Sequence, residues 1–366
     1  MDIVLQVADT LLLDRIYAAL LPISPSSFPE PKVNESNSLP FGSQEAASLL
    51  PQFKYTYEPA SKYLHLDPTE WAYKSSWPRD TVYRQFVSLF MITWLFGSVL
   101  YFGFATLSYF FVFDKETMKH PKFLNNQVRK EIAQACQAMP GMAFLTALCM
   151  LAEVRGYSKL FDQPSEAPFP WYNFLQFPLF ILFTDCGIYW IHRGLHHPLV
   201  YKTLHKPHHR WIMPTPFASY AFHPVDGFCQ SIPYHLFTFV LPLQKVAFIA
   251  LFTFINFWTI LIHDGEFYAN NPVINGAACH SAHHAYFNYN YGQFTTLWDR
   301  LGGSYRRPNM DLFHKETKMG KRELDRQTEE TEEILKEVEG QDDRDYLVEE
   351  TEESKPRWRR TGRSGR

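Results

Sequence analysis

Residues 171–209 read WYNFLQFPLFILFTDCGIYWIHRGLHHPLVYKTLHKPHH. An apolar run long enough to enter a bilayer ends here among histidines, and that junction governs the reading of the rest of the chain. The histidines fall into His192-Arg-Gly-Leu-His196-His197 and His205-Lys-Pro-His208-His209; a third cluster, His280-Ser-Ala-His283-His284, follows, with His223 and His263 between. Eleven of the fifteen histidines belong to this set, too many in repeated spacing for chance placement.

Residues three and four apart share one face of a helix, so each cluster can aim two or three imidazoles at one point. A single tetrahedral ion takes about four protein ligands. Three convergent clusters offer more than that, and two metal ions are the simpler fit. Ligand type leaves zinc, copper, iron and nickel open. Neighbouring helical residues diverge by about 100°, so whether His196, His197 or both point inward stays open. The isolated His65, His120, His235 and His314 read as surface or hydrogen-bonded core residues. Five scattered cysteines without C-x-x-C spacing indicate neither a disulfide framework nor a thiolate site, and Cys279 beside His280 reads as a small buried residue.

Outward from the histidines, the chain is apolar. The segment between Arg84 and Asp114 holds 29 residues without a charge, Ile132 to Ala152 another 21, and Trp171 to Ile191 a third run interrupted by Asp185. About 20 apolar residues span a bilayer. A further block, Ser231 to Ile262, is broken by Pro242-Leu-Gln-Lys245 and reads as two short helices in a hairpin. Clusters one and two precede this block and cluster three follows it. They can share a site only if the block returns to the side on which it began. Asp185, Tyr189, His192 and His196 form one helical stripe, so Asp185 is either placed to hydrogen-bond a ligand histidine or is an ordinary interfacial acid.

The predicted fold is therefore an all-α integral membrane protein. Residues 1–83 carry an amphipathic segment and a polar linker, and 84–191 the membrane helices. Residues 192–310 form the histidine region with its hairpin at 231–262, and 311–366 a charged, disordered or solvated helical tail. The N-terminal helix suits a membrane surface or core packing equally. Asp2, Asp9 and Asp14 stand where a signal peptide would be basic, so insertion is expected to rely on internal segments. Pro22 to about Pro59 reads as an irregular link containing the sequon Asn34-Glu35-Ser36, usable only on a lumenal face. Lysine and arginine flank both sides of the first apolar run, and the positive-inside rule does not decide orientation. A net charge of −3 and the lack of a phosphate-binding or dinucleotide motif give no indication of nucleic acid binding and place any nucleotide-bearing redox partner on another protein.

Several histidines at a membrane boundary suit oxidation of a lipid C–H bond. Zinc has no redox chemistry, so that reaction selects iron. From the residues alone the conclusion is an integral-membrane metalloenzyme.

The three clusters resemble the histidine boxes of the membrane-bound fatty acid hydroxylase and sterol desaturase superfamily. Within it, Trp211-Ile-Met-Pro-Thr-Pro-Phe-Ala-Ser-Tyr-Ala-Phe-His-Pro-Val-Asp226, Ile262-His-Asp-Gly265, Asn275-Gly-Ala-Ala-Cys-His280 and the continuation from Phe287 to Ser304 look like the sterol C5-desaturases. The opening segment is similar to that of the fungal enzymes of ergosterol synthesis. The resemblance covers most of residues 1–310. It implies a di-iron centre using O2, electrons from cytochrome b5 and its NADH-dependent reductase, and insertion of a C5–C6 double bond into a delta-7 sterol such as episterol. It also implies residence in the endoplasmic reticulum membrane with the metal site facing the cytosol. The ligands it implies are His192, His196, His205, His208, His209, His280, His283 and His284, with His197 uncertain in direction and His263 and His223 as weaker candidates. A sterol C4-methyl oxidase or lipid hydroxylase would share these ligands. A membrane metal transporter or sensor would place its ligands within the spanning helices, whereas these clusters follow apolar runs among Arg193, Lys202, Lys206 and Arg210.

Overall fold

The computed structural model describes residues 1–23, 66–265, 271–309, 317 and 320–346. The sequon at Asn34, His65, His314, the basic end from Arg357 and nearly all of the polar link lie outside them.

The described residues are mostly helical. The chain runs through α1 (Asp2–Ala8) and α2 (Asp14–Leu20), joined by a π-helical turn Asp9–Leu13. Then come α3 (Val82–Phe111), α4 (Gln127–Val154) and α5 (Tyr172–Leu195). Strand pairing is confined to the parallel pair β1 (Leu160–Phe161) and β2 (Leu243–Gln244) and to isolated bridges. After α6 (Lys206–His209), α7 (Pro224–Val240) and α8 (Lys245–Leu261) are separated by the short break that the sequence predicts. The chain closes with α9 (Ala277–Tyr286), α10 (Leu297–Leu301) and α11 (Lys321–Val338).

Among the described residues three helices, α3, α4 and α5, are long and apolar enough to cross a membrane. At 1.5 Å per residue each exceeds the hydrocarbon thickness of roughly 30 Å. Their outer faces are apolar and uncovered, with Leu95, Val99, Phe110 and Phe111 on α3 and Phe174, Leu182 and Trp190 on α5 exposed. Water would penalise such surfaces, whereas acyl chains solvate them.

Two compact units share the chain. One comprises Met1–Leu95, Ala143–Gln176 and Thr238–Ile249. Here the three N-terminal aspartates find cations. Asp14 accepts from Arg79 Nε at 3.0 Å and Arg84 Nη2 at 2.6 Å, Asp9 from Arg84 Nη2 at 2.7 Å, and Asp2 from Lys245 Nζ at 2.7 Å, all buried. Asp162 also accepts from Lys245. Leu5, Tyr17 and Ala18 are buried with the acids while Leu11, Leu12 and Leu20 remain exposed, so the helix has one packed and one free apolar face.

The second unit comprises Phe96–Met142, Phe177–Phe237 and Ala250–Arg366 and carries the histidine clusters. Close approach of α7 to α4 and α5 depends on two glycines. A Cβ on Gly141 would meet Pro224 Cβ at 2.8 Å, and one on Gly187 would meet Pro233 Cγ at 2.7 Å. The N-terminal part of α4 supplies buried Glu131 and half-buried Gln134 to α6 and the loop after it. Glu131 accepts from Thr215 N at 3.2 Å, and Gln134 Nε2 donates to Pro207 O and Ala221 O.

Within the charged tail, residues 320–346 are described and include a helix, one of the two states expected of it. Amphipathic α11 buries Leu335 against Tyr201, Ile212 and Phe287. Beyond it, buried Arg344 donates to the carbonyls of His209 and Arg210 and pairs with Glu339 at 2.8 Å, while Glu339 also accepts from Tyr201 Oη. A run of glutamates conceals the apolar stripe in the sequence, because one turn in two suffices to anchor a helix.

Candidate metal centre

The second box lies on a π-helical turn, Tyr201–His205, that passes into α6, while the first ends α5 and the third occupies α9. Two groups of convergent histidines result: His192, His196, His205, His209 and His283 in one, and His208, His263, His280 and His284 in the other. Within each group one nitrogen per ring lies within 4.8 Å of all the others.

The partition follows helix geometry. Pairs four apart, His192 and His196, His205 and His209, His280 and His284, each stay within one group. Neighbours diverge, so His208 leaves His209 and His283 leaves His284. Each of the last two boxes thus serves both groups, where spacing alone had pictured each box aimed at one point.

His197 and His223 fall outside both groups. His197 is exposed and accepts from Leu199 N at the start of a helical turn, and His223 accepts from Val225 N at the start of α7. Helix-start duty accounts for both, and of the adjacent pair it is His196 that turns inward. Asp185 does not touch a ligand histidine. It accepts from the backbone N–H groups of Gln293, Phe294 and Thr295. The carboxylate on a candidate ligand is Asp226, whose Oδ2 lies 2.8 Å from His205 Nδ1 and whose Oδ1 accepts from Gln230. It stands inside the stretch Trp211 to Asp226, yet no spacing marks it. His120, as expected of an isolated histidine, hydrogen-bonds locally, accepting from Lys122 N.

Four rings have their outer nitrogen on an acceptor: His192 Nδ1 on Tyr291 O, His205 Nδ1 on Asp226, His283 Nδ1 on Tyr289 O and His263 Nδ1 on Thr259 O. A carbonyl or carboxylate oxygen accepts only, so each of these rings carries its proton on Nδ1 and presents a bare Nε2 lone pair inward. His192 and His205 then face each other Nε2 to Nε2 at 3.1 Å with no proton between them. Two lone pairs so close repel unless a cation accepts both. Nitrogens about 2.1 Å from one ion at right angles are about 3.0 Å apart. The contacts His209–His283 and His263–His280 at 3.0 Å and His280–His284 at 3.2 Å match that spacing. His196 Nε2 is buried without a hydrogen-bond partner.

Electrostatics favour the same state. Burial, with mutual repulsion, holds His208, His209, His280 and His284 well below the usual histidine pKa, and burial brings His283 down to about 3. Neutral imidazole is the form that binds a metal. Replacing Asp226 by asparagine should weaken one of two bound ions by about 10–100-fold, because His205 loses its charged acceptor. A chelator titration of the metal-loaded protein measures this, and unchanged affinity would reduce Asp226 to a packing role.

Three membrane-length apolar helices and two adjoining histidine groups that could each hold a metal ion are the features of a membrane protein of the fatty acid hydroxylase class, and residues 177–304 match the family model described as Fatty acid hydroxylase. The chain is 61% identical to a delta(7)-sterol 5(6)-desaturase of Aspergillus fumigatus over 96% of this chain and 98% of that protein. It is 61% identical to a probable delta(7)-sterol 5(6)-desaturase of Neurospora crassa, over 97% of this chain and all of that protein, and 46% identical to the Saccharomyces cerevisiae delta(7)-sterol 5(6)-desaturase, over 95% and 98%. The chain belongs to the delta(7)-sterol 5(6)-desaturase family, a family of oxidoreductases. No solved structure matches it.

Proposed function

We propose that this protein introduces the C5–C6 double bond into a delta-7 sterol, episterol or a close relative, during ergosterol synthesis. The observation that carries the reading is the set of nine histidines, eight of them buried and His196 half-buried, in two adjoining groups, in a chain similar along nearly its whole length to sterol 5(6)-desaturases. Imidazoles alone do not choose the metal. A pair of iron ions fits both the donor set and the redox demand, and when bound it would supply the oxidising power for C–H cleavage. The overall exchange balances with O2 accepting four electrons, two from the sterol's C5–C6 unit with its two hydrogens and two from cytochrome b5, and taking two further protons from solvent, to give two waters.

The chain's own residues supply ligation, tautomer control and position. Tyr291 O, Tyr289 O, Thr259 O and Asp226 fix the four Nδ1 protons, so that bare nitrogens converge. Phe222 stacks on His208 and Phe287 on His209, at 4.2 and 4.7 Å between ring centroids, and these rings shield the centre from water. Holding two adjacent C–H bonds close to the oxidant favours removal of a second hydrogen over return of a hydroxyl. The lipid-facing helices fit a membrane-dissolved sterol. We place the enzyme in the endoplasmic reticulum membrane with its histidines toward the cytosol, where cytochrome b5 and its NADH-dependent reductase could deliver electrons.

Expression in a yeast strain lacking its own C5-desaturase tests this. Restored C5–C6 unsaturation in the sterol profile is the expected result. Unchanged sterols despite correctly localised protein would overturn the reading, and hydroxylated or C4-oxidised sterols would assign the chain to the hydroxylase or methyl-oxidase chemistry instead.

A further inference from the structure

We propose that Asp299 is a positioning residue for the five-histidine group, setting the orientation of His192 and His283 through two peptide planes of the loop that follows the third box. The inference rests on the reading that the nine histidines hold two metal ions.

The loop begins where α9 ends, at Phe287 and Asn290, both in the left-handed region with φ of 58° and 57°. Non-glycine residues occupy that region at a cost, so surrounding contacts must hold the turn in place. Two of its carbonyls reach the histidines: Tyr289 O lies 2.7 Å from His283 Nδ1, and Tyr291 O lies 2.9 Å from His192 Nδ1.

A peptide unit is planar, and in its trans form the C=O and N–H point in opposite directions. The unit that offers Tyr291 O to His192 therefore presents Gly292 N–H on its other side, where it donates to Asp299 Oδ2 at 2.8 Å. The unit that offers Tyr289 O to His283 presents Asn290 N–H, which donates to Ser304 O at 2.9 Å. Ser304 is in turn tied to Asp299, its Oγ donating to Oδ1 at 2.8 Å and its N–H to the Asp299 carbonyl at 2.8 Å. Tyr291 N–H also donates to Asp299 Oδ1 at 2.8 Å. One fully buried carboxylate thus stands behind both carbonyls that orient ligand rings.

Gly292 makes the arrangement possible. A Cβ there would lie 2.6 Å from Thr295 O and 3.0 Å from Asp299 Oδ2. Asp185 fastens the next three residues by their N–H groups, so displacement at Asp299 cannot be relieved by sliding the loop onward. The four-histidine group is held by other atoms. Its one outer-nitrogen contact to backbone among the described residues is His263 to Thr259 O, within a single stretch of chain, and none of its imidazoles hydrogen-bonds this loop among those residues. The loop meets that stretch through Gln293, whose Nε2 donates to Thr259 Oγ1 and whose carbonyl accepts from Trp258 Nε1, and Gln293 is fastened by Asp185 and not by Asp299.

The consequence is selective. Full-length protein in detergent, stripped of metal and titrated anaerobically with cobalt(II), should bind two ions per chain. Asp299→Asn puts an amide N–H where a carboxylate oxygen accepts, and should weaken one ion about tenfold or more while leaving the other unchanged. Gly292→Ala, which alters no charge, should give the same selective loss. In the Asp299→Asn background, adding His284→Ala should remove the remaining tight ion, and adding His192→Ala should cost that ion nothing. Two unchanged affinities would overturn the proposal. Equal loss of both ions, with the cobalt spectrum of each altered, would show that Asp299 only supports the fold and would overturn it too. Wild-type protein that binds no cobalt would instead remove the two-ion reading beneath it.

Discussion

His283→Ala is expected to abolish sterol desaturation and to lower bound metal from two ions per chain to one or fewer. His283 is the hub of the five-histidine group, its ring centroid 4.4, 4.6 and 4.9 Å from those of His192, His209 and His196. Its removal leaves His209 Nε2 without its neighbour at 3.0 Å and takes from Tyr289 O its contact with the His283 ring. The buried rings around it exclude most replacement ligands. The loss should exceed the roughly 10–100-fold that follows removal of an outer partner. The checks are the sterol profile in the complemented yeast strain and metal analysis of the purified variant. His197→Ala is the matched control: exposed and turned away, it should keep both ions and most activity. Loss of a metal ion in that control, or full activity in His283→Ala, would contradict the partition into two groups.

The second large effect is expected at Asp14, far from any histidine in sequence. Asp14→Ala should destabilise the protein by about 3–5 kcal/mol, the range for breaking one side of a buried ion pair. Burial raises the Asp14 pKa, but hydrogen bonds from Arg79, Thr69 and Arg84 outweigh it and hold the carboxyl below its usual value. Asp14 takes two bonds from Arg79 and one from Arg84, and both guanidiniums are about 1% exposed. Arg84 retains its bond to Asp9, and Arg79 retains its bond to Thr10 Oγ1. Denaturant unfolding in detergent micelles measures the difference. A change below about 1 kcal/mol would mean that solvent screens this cluster as it does a surface pair.

Much of the architecture is legible in the chain itself. The uncharged run from Arg84 to Asp114 forecasts α3, the runs at 132 and 171 forecast α4 and α5, and the break at Pro242 to Lys245 separates α7 from α8. The number of histidines in the three boxes makes two ions the simpler fit, and the structure gathers them into two groups. The charged tail was harder to read, because the few apolar residues that anchor α11 are outnumbered by glutamate and arginine.

What the sequence determined by itself is the set of donors and the apolar lengths that carry them, since residue type and 3.6-residue periodicity are local properties. Which histidine belongs to which group is decided only by the tertiary structure: it depends on how three helices converge, and so separates His208 from His209 and His283 from His284. The same holds for the groups that hold the rings still. Asp226 reaches His205 and the carbonyl of Tyr291 reaches His192 from distant parts of the chain, while Asp299 and the carbonyl of Tyr289 act through an irregular loop; carboxylates and carbonyls of this kind carry no spacing signal, and only folding brings them to bear on the imidazoles.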